Sequence, residues 1–142
     1  MPAAEHIVRE VSVPVSREAD VLVASQQGCA WAADLGLSRV DQAMFEVAIS
    51  EVARNIIEHA SHGQMILRLV QRNNQNGLVA IVRDQGPGIP DVSLAMKDGY
   101  STTGGLGSGL PGAKRMVDEF EVTSEVGKGT TIVMKKWKET NG

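Results

Sequence analysis

The chain has 142 residues, of which 42% are hydrophobic and 22% are charged, and its formal net charge is −3. This length is typical of one globular domain that needs neither a disulfide nor a metal to hold its core. The charge is too small to argue for binding to nucleic acid or to an anionic membrane. No membrane-spanning helix is predicted, because no run approaches the roughly 18 apolar residues that such a helix needs.

The first residues, MPAAEHIVRE, lack a basic segment followed by an apolar one, so no secretory leader is expected. The single cysteine, Cys29, is interpreted as a small buried hydrophobic residue in a reducing compartment. We therefore expect a cytoplasmic protein.

The N-terminal half predicts one strand followed by two helices. Residues 5–15 alternate apolar and polar side chains, which is typical of a strand, and Pro14 belongs near its end or at a sheet edge. A helix is predicted from 16 to about 35, where Gly36 ends it. A second helix is predicted from 38 to about 60, since no glycine or proline interrupts it. Its predicted apolar stripe consists of Val40, Met44, Val47, Ala48, Val52 and Ile56.

The C-terminal half predicts four strands and one helix around a glycine-rich loop that holds 8 of the 15 glycines. The predicted elements are strands 64–70 and 78–82 with a turn at 73–77, the loop at 84–112, a helix to about 120, and strands 121–126 and 130–136. The cluster at 135–138, KKWK, is interpreted as the solvated end of an edge strand. This order predicts an α+β two-layer sandwich with helices on one face of a mixed, mostly antiparallel sheet.

The second helix carries a carboxylate and an amide on one side. Asn55 follows Glu51 by four residues, so the two side chains stack beside the apolar stripe. A carboxylate there can act as a general base, and an amide oxygen is a suitable ligand for Mg²⁺. Taken alone, however, this spacing favours two solvated polar residues on an amphipathic helix.

The heptapeptide DQGPGIP follows the apolar strand LVAIV. Asp84 at its start could accept a hydrogen bond from an exocyclic amino group such as that of adenine, and Gly86 and Gly88 would let the base lie against bare backbone. Taken alone, the heptapeptide favours a proline–glycine turn with a capping aspartate.

The stretch GGLGSGL, residues 104–110, leads into the predicted helix and has Pro111 directly after it. Backbone N–H groups at a helix start, preceded by glycines, form an anion site suited to phosphates, so this loop predicts a polyphosphate ligand. The glycines at 107, 109 and 112 also satisfy G-x-G-x-x-G. A dinucleotide-binding unit is not predicted, because this pattern does not follow a strand directly.

The order and spacing of these motifs resemble the GHKL superfamily of ATPases and kinases, which includes histidine kinases, gyrase, Hsp90 and MutL. The small size, the segment NIIEHA and the short lid resemble the anti-sigma-factor type of serine/threonine kinase. The motifs DQGPGIPD, GYSTTGGLGSGLPGAKR and SEVGKGT resemble the switch kinases of the stressosome. The resemblance implies a GHKL (Bergerat-type) sandwich forming one ATP-binding kinase domain, residues 1–142, with a flexible ATP lid at about 89–106.

The resemblance also implies a role for each residue of the site. Glu51 would take the proton from a protein hydroxyl, Asn55 would hold Mg²⁺ against the phosphates of ATP, and Asp84 would bind the adenine amino group. Gly86 and Gly88 would lie beside the base, and Thr130 would support the adenine end of the pocket. The phosphates would be bound by Gly105, Gly107 and Gly109 together with the N–H groups of the helix that begins near Leu110. Lys114 and Arg115 are interpreted as a solvated helix face and not as phosphate contacts.

The partners that the resemblance implies are STAS-domain proteins as substrates, a PP2C-type phosphatase as a second target after release, and a large stressosome assembly. One alternative is a binding module that uses ATP as a structural ligand and sequesters a sigma factor or another regulator. The other two are a histidine-kinase catalytic domain and an ATP-driven clamp. The first of these is disfavoured because His6, His59 and His62 lie on no additional helical hairpin, and the second because no residues remain for transducing domains.

Overall fold

The computed structural model describes residues 4–89 and 109–139, together with residues 92 and 96. Over these residues the chain forms three helices and five strands, which confirms the predicted α+β class. The elements are β1 (His6–Val15), α1 (Glu18–Leu35), α2 (Arg39–His59), β2 (Gly63–Arg72), β3 (Gln75–Asp84), α3 (Gly109–Arg115), β4 (Glu119–Glu125) and β5 (Gly129–Trp137).

The strands form one sheet in the order β1-β2-β3-β5-β4, and every neighbouring pair is antiparallel. The sheet edges are therefore β1 and β4, and Pro14 lies in an edge strand as expected. The interpretation of residues 135–138 as the end of an edge strand is wrong, because β5 lies between β3 and β4. Only Lys138 of that cluster is exposed.

The hairpin of β2 and β3 closes through two asparagines, whereas the sequence predicted a longer turn at 73–77. Asn73 and Asn74 have φ values of 51° and 65°, in the left-handed region that asparagine tolerates better than most residues. Two consecutive residues with positive φ are typical of the type I′ turn, which matches the twist of the strands on either side. The strands consequently pair from Arg72 and Gln75 onward.

Helix α1 begins two residues later than predicted, because the Asp20 side chain hydrogen-bonds to residues 16 and 17 and holds them outside the helix. The Asp20 carboxylate accepts hydrogen bonds from the N–H of Ser16 at 2.9 Å, from the Ser16 hydroxyl and from the N–H of Arg17. The backbone bond from Ser16 is the largest cause of the lowered pKa of Asp20. The predicted end is confirmed: Gly36 has a φ of 91° and its N–H donates to Ala32 and Ala33.

The core lies between the sheet and helices α1 and α2, and it contains Val13 and Val15 of β1. The predicted stripe of α2 is wrong at two positions, since Val40 and Val47 are 68% and 37% exposed. The helix is rotated relative to the prediction and packs against α1 and the sheet along a broader face. The residues of α2 that are buried are Phe45, Ala48, Ile49, Glu51, Val52, Ala53 and Ile56.

Helix α3 ends at Arg115 and not near residue 120, because β5 bonds to the chain that follows it. The Lys136 ammonium donates to the carbonyl of Met116 at 3.1 Å, and the Trp137 N–H donates to the Asp118 carboxylate at 2.7 Å. These bonds turn the chain into β4 two residues earlier than predicted. Lys136 is 6% exposed and also forms an ion pair with Asp41 at the start of α2.

The sheet face opposite the helices carries a small apolar cluster of Val70, Val79 and Trp137. The Arg72 guanidinium lies 4.1 Å from the centre of the Trp137 ring. A Cβ at Gly77 would lie 2.7 Å from Cζ3 of that ring. The Trp137 ring can therefore pack here only because residue 77 has no side chain. This close approach predicts a large cost for any side chain there.

Gly77→Ala is expected to lower the free energy of unfolding by about 1–3 kcal/mol, because the Trp137 ring must move to admit the methyl group. The measurement is the urea midpoint of the variant beside that of Asn76→Ala, which changes the neighbouring residue of β3 without overpacking the ring. Equal midpoints for the two variants would contradict the close packing described above.

Candidate functional site

Three polar side chains form a row across the sheet at one end of β3, β5 and β4. Thr130 of β5 is the direct pairing partner of Asp84 on one side and of Ser124 on the other. All three share the face of the core residues Val82, Ile132 and Val122, since they lie at even separations from them along the strands. The row ends at Gly63 of β2, which pairs with Asp84.

Asp84 ends β3 and is half-buried. Its Oδ1 accepts a hydrogen bond from the N–H of Gly86 at 2.9 Å, which forms the tight turn that the sequence predicts for this motif. Oδ2 has no hydrogen-bond donor among the described residues. The carboxylate can therefore accept a bond from an amino group of a ligand while its other oxygen keeps it oriented.

The glycines of the DQGPG turn are required by protein packing. A Cβ on Gly86 would lie 2.5 Å from the Cβ of Ala60, at the end of α2. Gly88 has a φ of 80°, and a Cβ there would lie 2.5 Å from the carbonyl oxygen of Glu125. The sequence predicted these glycines from the space that a base needs, and that role stays a prediction.

The turn between β4 and β5 packs directly against this motif. The N–H of Gly127 donates to the carbonyl of Pro87 at 2.8 Å. Gly129 has a φ of 113°, and a Cβ there would lie 2.8 Å from the Cα of Gln85 and closer still to the carbonyl oxygen of Asp84. The two turns thus meet backbone to backbone.

Ser124 is the residue of this region that the sequence analysis missed. Its hydroxyl accepts from the N–H of Ile89 at 2.7 Å and lies 2.9 Å from the Thr130 hydroxyl and 3.3 Å from the Gly129 carbonyl. The signal was present in SEVGKGT, because a turn centred on Gly127 pairs residue 124 with residue 130. Thr130 itself is 5% exposed.

Helix α2 presents the predicted carboxylate and amide at a common side. Glu51 is 9% exposed and lies among the buried residues of the helix, whereas Asn55 is half-buried. Arg54 lies beside the carboxylate, with its Nη1 3.8 Å from Glu51 Oε1 and its Nε 3.9 Å from Glu18 Oε2 of α1. Neither separation is a hydrogen bond, so these are loose ion pairs.

The C-terminal end of α2 covers the same end of the sheet as the polar row. Ala60 packs against Gly86 at the position where a side chain of residue 86 would lie, and Ile56 packs against Gly63 in the same way. Asn55 is adjacent to Ile56 in α2, and Glu51 lies one turn earlier. The fold therefore brings the helix that carries the predicted base and amide over the strand end that carries Asp84.

The predicted phosphate loop falls mostly outside the described residues, which include neither Gly105 nor Gly107, and of the predicted lid at 89–106 only residues 89, 92 and 96. Gly109 begins α3 with a φ of 66°. The Leu110 side chain is 5% exposed and belongs to the core, so only its backbone could face a ligand. Lys114 and Arg115 are exposed, as expected.

Cys29 is half-buried and not fully buried as expected. Burial and the neighbouring Glu46 carboxylate raise the pKa of its thiol, which keeps the sulfur protonated and weakly reactive. The described residues contain no group of three or more His, Cys, Asp or Glu side chains that could hold a metal by themselves. None of their helices is both long and apolar enough to span a membrane.

Known proteins share the sequence pattern and the fold of this chain. Residues 14–136 match the family described as the histidine kinase-like ATPase domain. The chain belongs to this family. It is 49% identical over 125 residues to the serine/threonine-protein kinase RsbT of Bacillus subtilis (strain 168), which is 88% of this chain and 94% of RsbT. This likeness places the chain among the serine/threonine kinases of the RsbT type.

One further relative and one solved structure of similar fold extend the comparison. The anti-sigma F factor of Caldanaerobacter subterraneus subsp. tengcongensis is 33% identical over 112 residues, covering 76% of this chain and 78% of that protein. Among solved structures, the RsbU and RsbW domains of Rv1364c from Mycobacterium tuberculosis match with a TM-score of 0.62 and 18% identity. That match covers 94% of this chain but only 34% of the other, so it shows the fold alone.

Gly129→Ala is expected to destabilise the protein by about 2–4 kcal/mol and to abolish nucleotide binding, because its methyl group would displace the backbone of Asp84. Gly127→Ala is the matched control, since Gly127 also has a positive φ of 82° but no atom lies within 4 Å of its Cβ position. The control should lose only about 1–2 kcal/mol from backbone strain and keep its nucleotide affinity. Urea unfolding and nucleotide titration of both variants test this difference, and equal losses would contradict it.

Proposed function

We propose that residues 1–142 form one cytoplasmic kinase domain that uses Mg-ATP to phosphorylate serine or threonine of STAS-domain antagonist proteins. When released from them, the protein binds and activates a PP2C-type phosphatase in stress signalling. The observation that carries the proposal is the juxtaposition of the buried Glu51 helix with the Asp84 strand end, in a chain 49% identical to RsbT.

The adenine end of the proposed site is built from the polar row. Asp84 accepts a hydrogen bond from the exocyclic amino group through Oδ2, and Thr130 lies beside it with its hydroxyl on the same face of the sheet. Gly86 and Gly88 form the wall against which the base lies. The phosphates are bound by Gly105, Gly107 and Gly109 and by the backbone N–H of Leu110, and the lid at about 89–106 covers them.

Glu51 acts as the general base at the other end of the site. Its carboxylate takes the proton of the substrate hydroxyl as that oxygen bonds to the γ-phosphorus, while the bond from phosphorus to the bridging oxygen breaks and ADP leaves. The Asn55 amide oxygen fits a hard cation and would hold Mg²⁺. When bound, Mg²⁺ neutralises charge on the phosphates, which positions them for transfer.

The proposed partners rest on the RsbT likeness and on the motifs. RsbT is named as a serine/threonine-protein kinase, which supports a protein substrate. The phosphatase and the stressosome assembly are implied by the resemblance of DQGPGIPD and SEVGKGT to the switch kinases of the stressosome. The charge of −3 supports the absence of nucleic acid as a partner.

A second candidate is a module that binds ATP and sequesters a sigma factor or another regulator without transferring phosphate. It is favoured by the 33% identity to proteins named anti-sigma F factors. The two candidates differ in whether Glu51 is needed, because a sequestering module requires the nucleotide but no base. Substitution of that residue therefore separates them.

Glu51→Gln is expected to slow phosphotransfer by about 10²–10⁴-fold while leaving ATP affinity within about twofold, because the amide keeps the shape but cannot accept the proton. The measurement is transfer of label from γ-³²P-ATP with Mg²⁺ to proteins in a lysate of the source organism. Glu58→Gln on the exposed side of α2 is the control and should behave as wild type. Undiminished labelling by Glu51→Gln would remove the base from the mechanism.

Asp84→Asn is expected to weaken ATP binding by about 10–100-fold, because the amide presents donors as well as an acceptor to the adenine amino group. Isothermal titration with ATP gives this affinity directly. Arg83→Gln, on the exposed side of the same strand, serves as the control. ATP affinity that is unchanged in Asp84→Asn would show that the adenine lies elsewhere.

A further inference from the structure

The Ser124 hydroxyl joins three parts of the chain at the adenine end of the proposed site. It contacts the N–H of Ile89, which follows the DQGPG turn, the Thr130 hydroxyl and the Gly129 carbonyl. Because Ser124 lies in the edge strand β4, these contacts tie that strand both to β5 and to the connection that leaves β3. None of the roles assigned above belongs to this residue.

The hydrogen-bond balance at Ser124 restricts what the Thr130 hydroxyl can do. The Ile89 N–H is a donor, so the serine oxygen accepts there and keeps one proton to give. If that proton goes to Gly129, Thr130 donates to Ser124 and presents only its lone pairs to a ligand. If it goes to Thr130, the threonine keeps its own proton for a ligand. In both arrangements the threonine oxygen stays at 2.9 Å from Ser124.

Thr130 depends on Ser124 because no other residue in the described part of the chain hydrogen-bonds to its side chain. It is 5% exposed, and Ser124 is the one hydrogen-bonding partner of its side chain among the described residues. Without the serine hydroxyl, the Thr130 hydroxyl would lose this hydrogen bond and the Ile89 N–H would lose its acceptor. A buried hydroxyl with a single partner is held in place by that partner.

We infer that Ser124 is a positioning residue for adenine recognition, which fixes the Thr130 hydroxyl in line with the Asp84 carboxylate and anchors Ile89 beside it. This inference rests on the proposed function, in which Asp84 and Thr130 face the base. Ser124 acts through Thr130 and needs no contact with the nucleotide itself. The effect of Ser124 on nucleotide affinity should consequently depend on the identity of the base, and it should vanish when Thr130 is replaced by alanine.

The first test is a comparison of ATP and GTP affinity in Ser124→Ala, Ser124→Thr and Thr123→Ala by competition against a fluorescent adenine nucleotide. Ser124→Ala is expected to weaken ATP by about tenfold and GTP by less than about twofold, since guanine has a carbonyl oxygen where adenine presents its 6-amino group to the row. Ser124→Thr keeps the hydroxyl and should restore most of the ATP affinity. Thr123→Ala changes an exposed neighbour on the opposite face and should behave as wild type.

The second test is a double-mutant cycle with Thr130→Ala. That substitution should weaken ATP by about tenfold in the wild-type background but by less than about twofold in Ser124→Ala, because coupled residues do not contribute additively. Additive losses would overturn the inference. So would equal losses of ATP and GTP affinity together with a lowered thermal midpoint, which would make Ser124 a purely structural residue.

Asp84→Asn separates this inference from the proposed function. If Asp84→Asn loses ATP affinity while Ser124→Ala does not, the proposed adenine site stands and the positioning role of Ser124 is wrong. If Asp84→Asn binds ATP as wild type does, the adenine site itself is wrong and the inference fails with it.

Discussion

The arrangement of the candidate site depends on two turns that meet without side chains between them. Gly129 lies against the Asp84 carbonyl, Gly88 lies against the Glu125 carbonyl, and the Gly127 N–H bonds to Pro87. A methyl group at the first two contacts would push the strands apart. Because β3 and β5 stay this close, the Asp84 carboxylate and the Thr130 hydroxyl are neighbours in one row. The fold itself thus requires these glycines, whether or not a ligand binds.

Helix α2 combines a structural task with the proposed chemical one on nearly the same surface. Its buried side holds Phe45 and Ile49 against α1 and the sheet, and Glu51 is buried among such residues. Burying a carboxylate is costly unless charges or hydrogen bonds compensate it. The guanidinium of Arg54 at 3.8 Å supplies part of that compensation. Glu51 is thereby held at a buried position on a regular helix, as its proposed role of general base requires.

Local signals in the sequence predicted the class of fold, the order of its elements and features such as the Gly36 helix end. They failed where distant residues decide the structure. The end of α3 is set by bonds from Lys136 and Trp137. Their cluster was interpreted as the solvated end of an edge strand, because no local pattern indicates its contacts with Asp41 and Asp118. In the candidate site, Glu51 and Asp84 had recognisable spacings. Ser124 is recognisable only through its pairing with Thr130 across the SEVGKGT turn, since a serine in an edge strand is by itself ordinary.

The Asn73–Asn74 turn has a consequence at the other end of its hairpin. Residues of β2 and β3 pair without interruption from Arg72–Gln75 to Gly63–Asp84. A slip of one residue anywhere along this ladder would turn every following side chain to the opposite face of the sheet. Asp84 would then point away from α2, and Arg83 would take its place beneath the helix. Two asparagines in left-handed conformation, at the far end of the hairpin, therefore determine which charged side chain lies in the polar row of the candidate site.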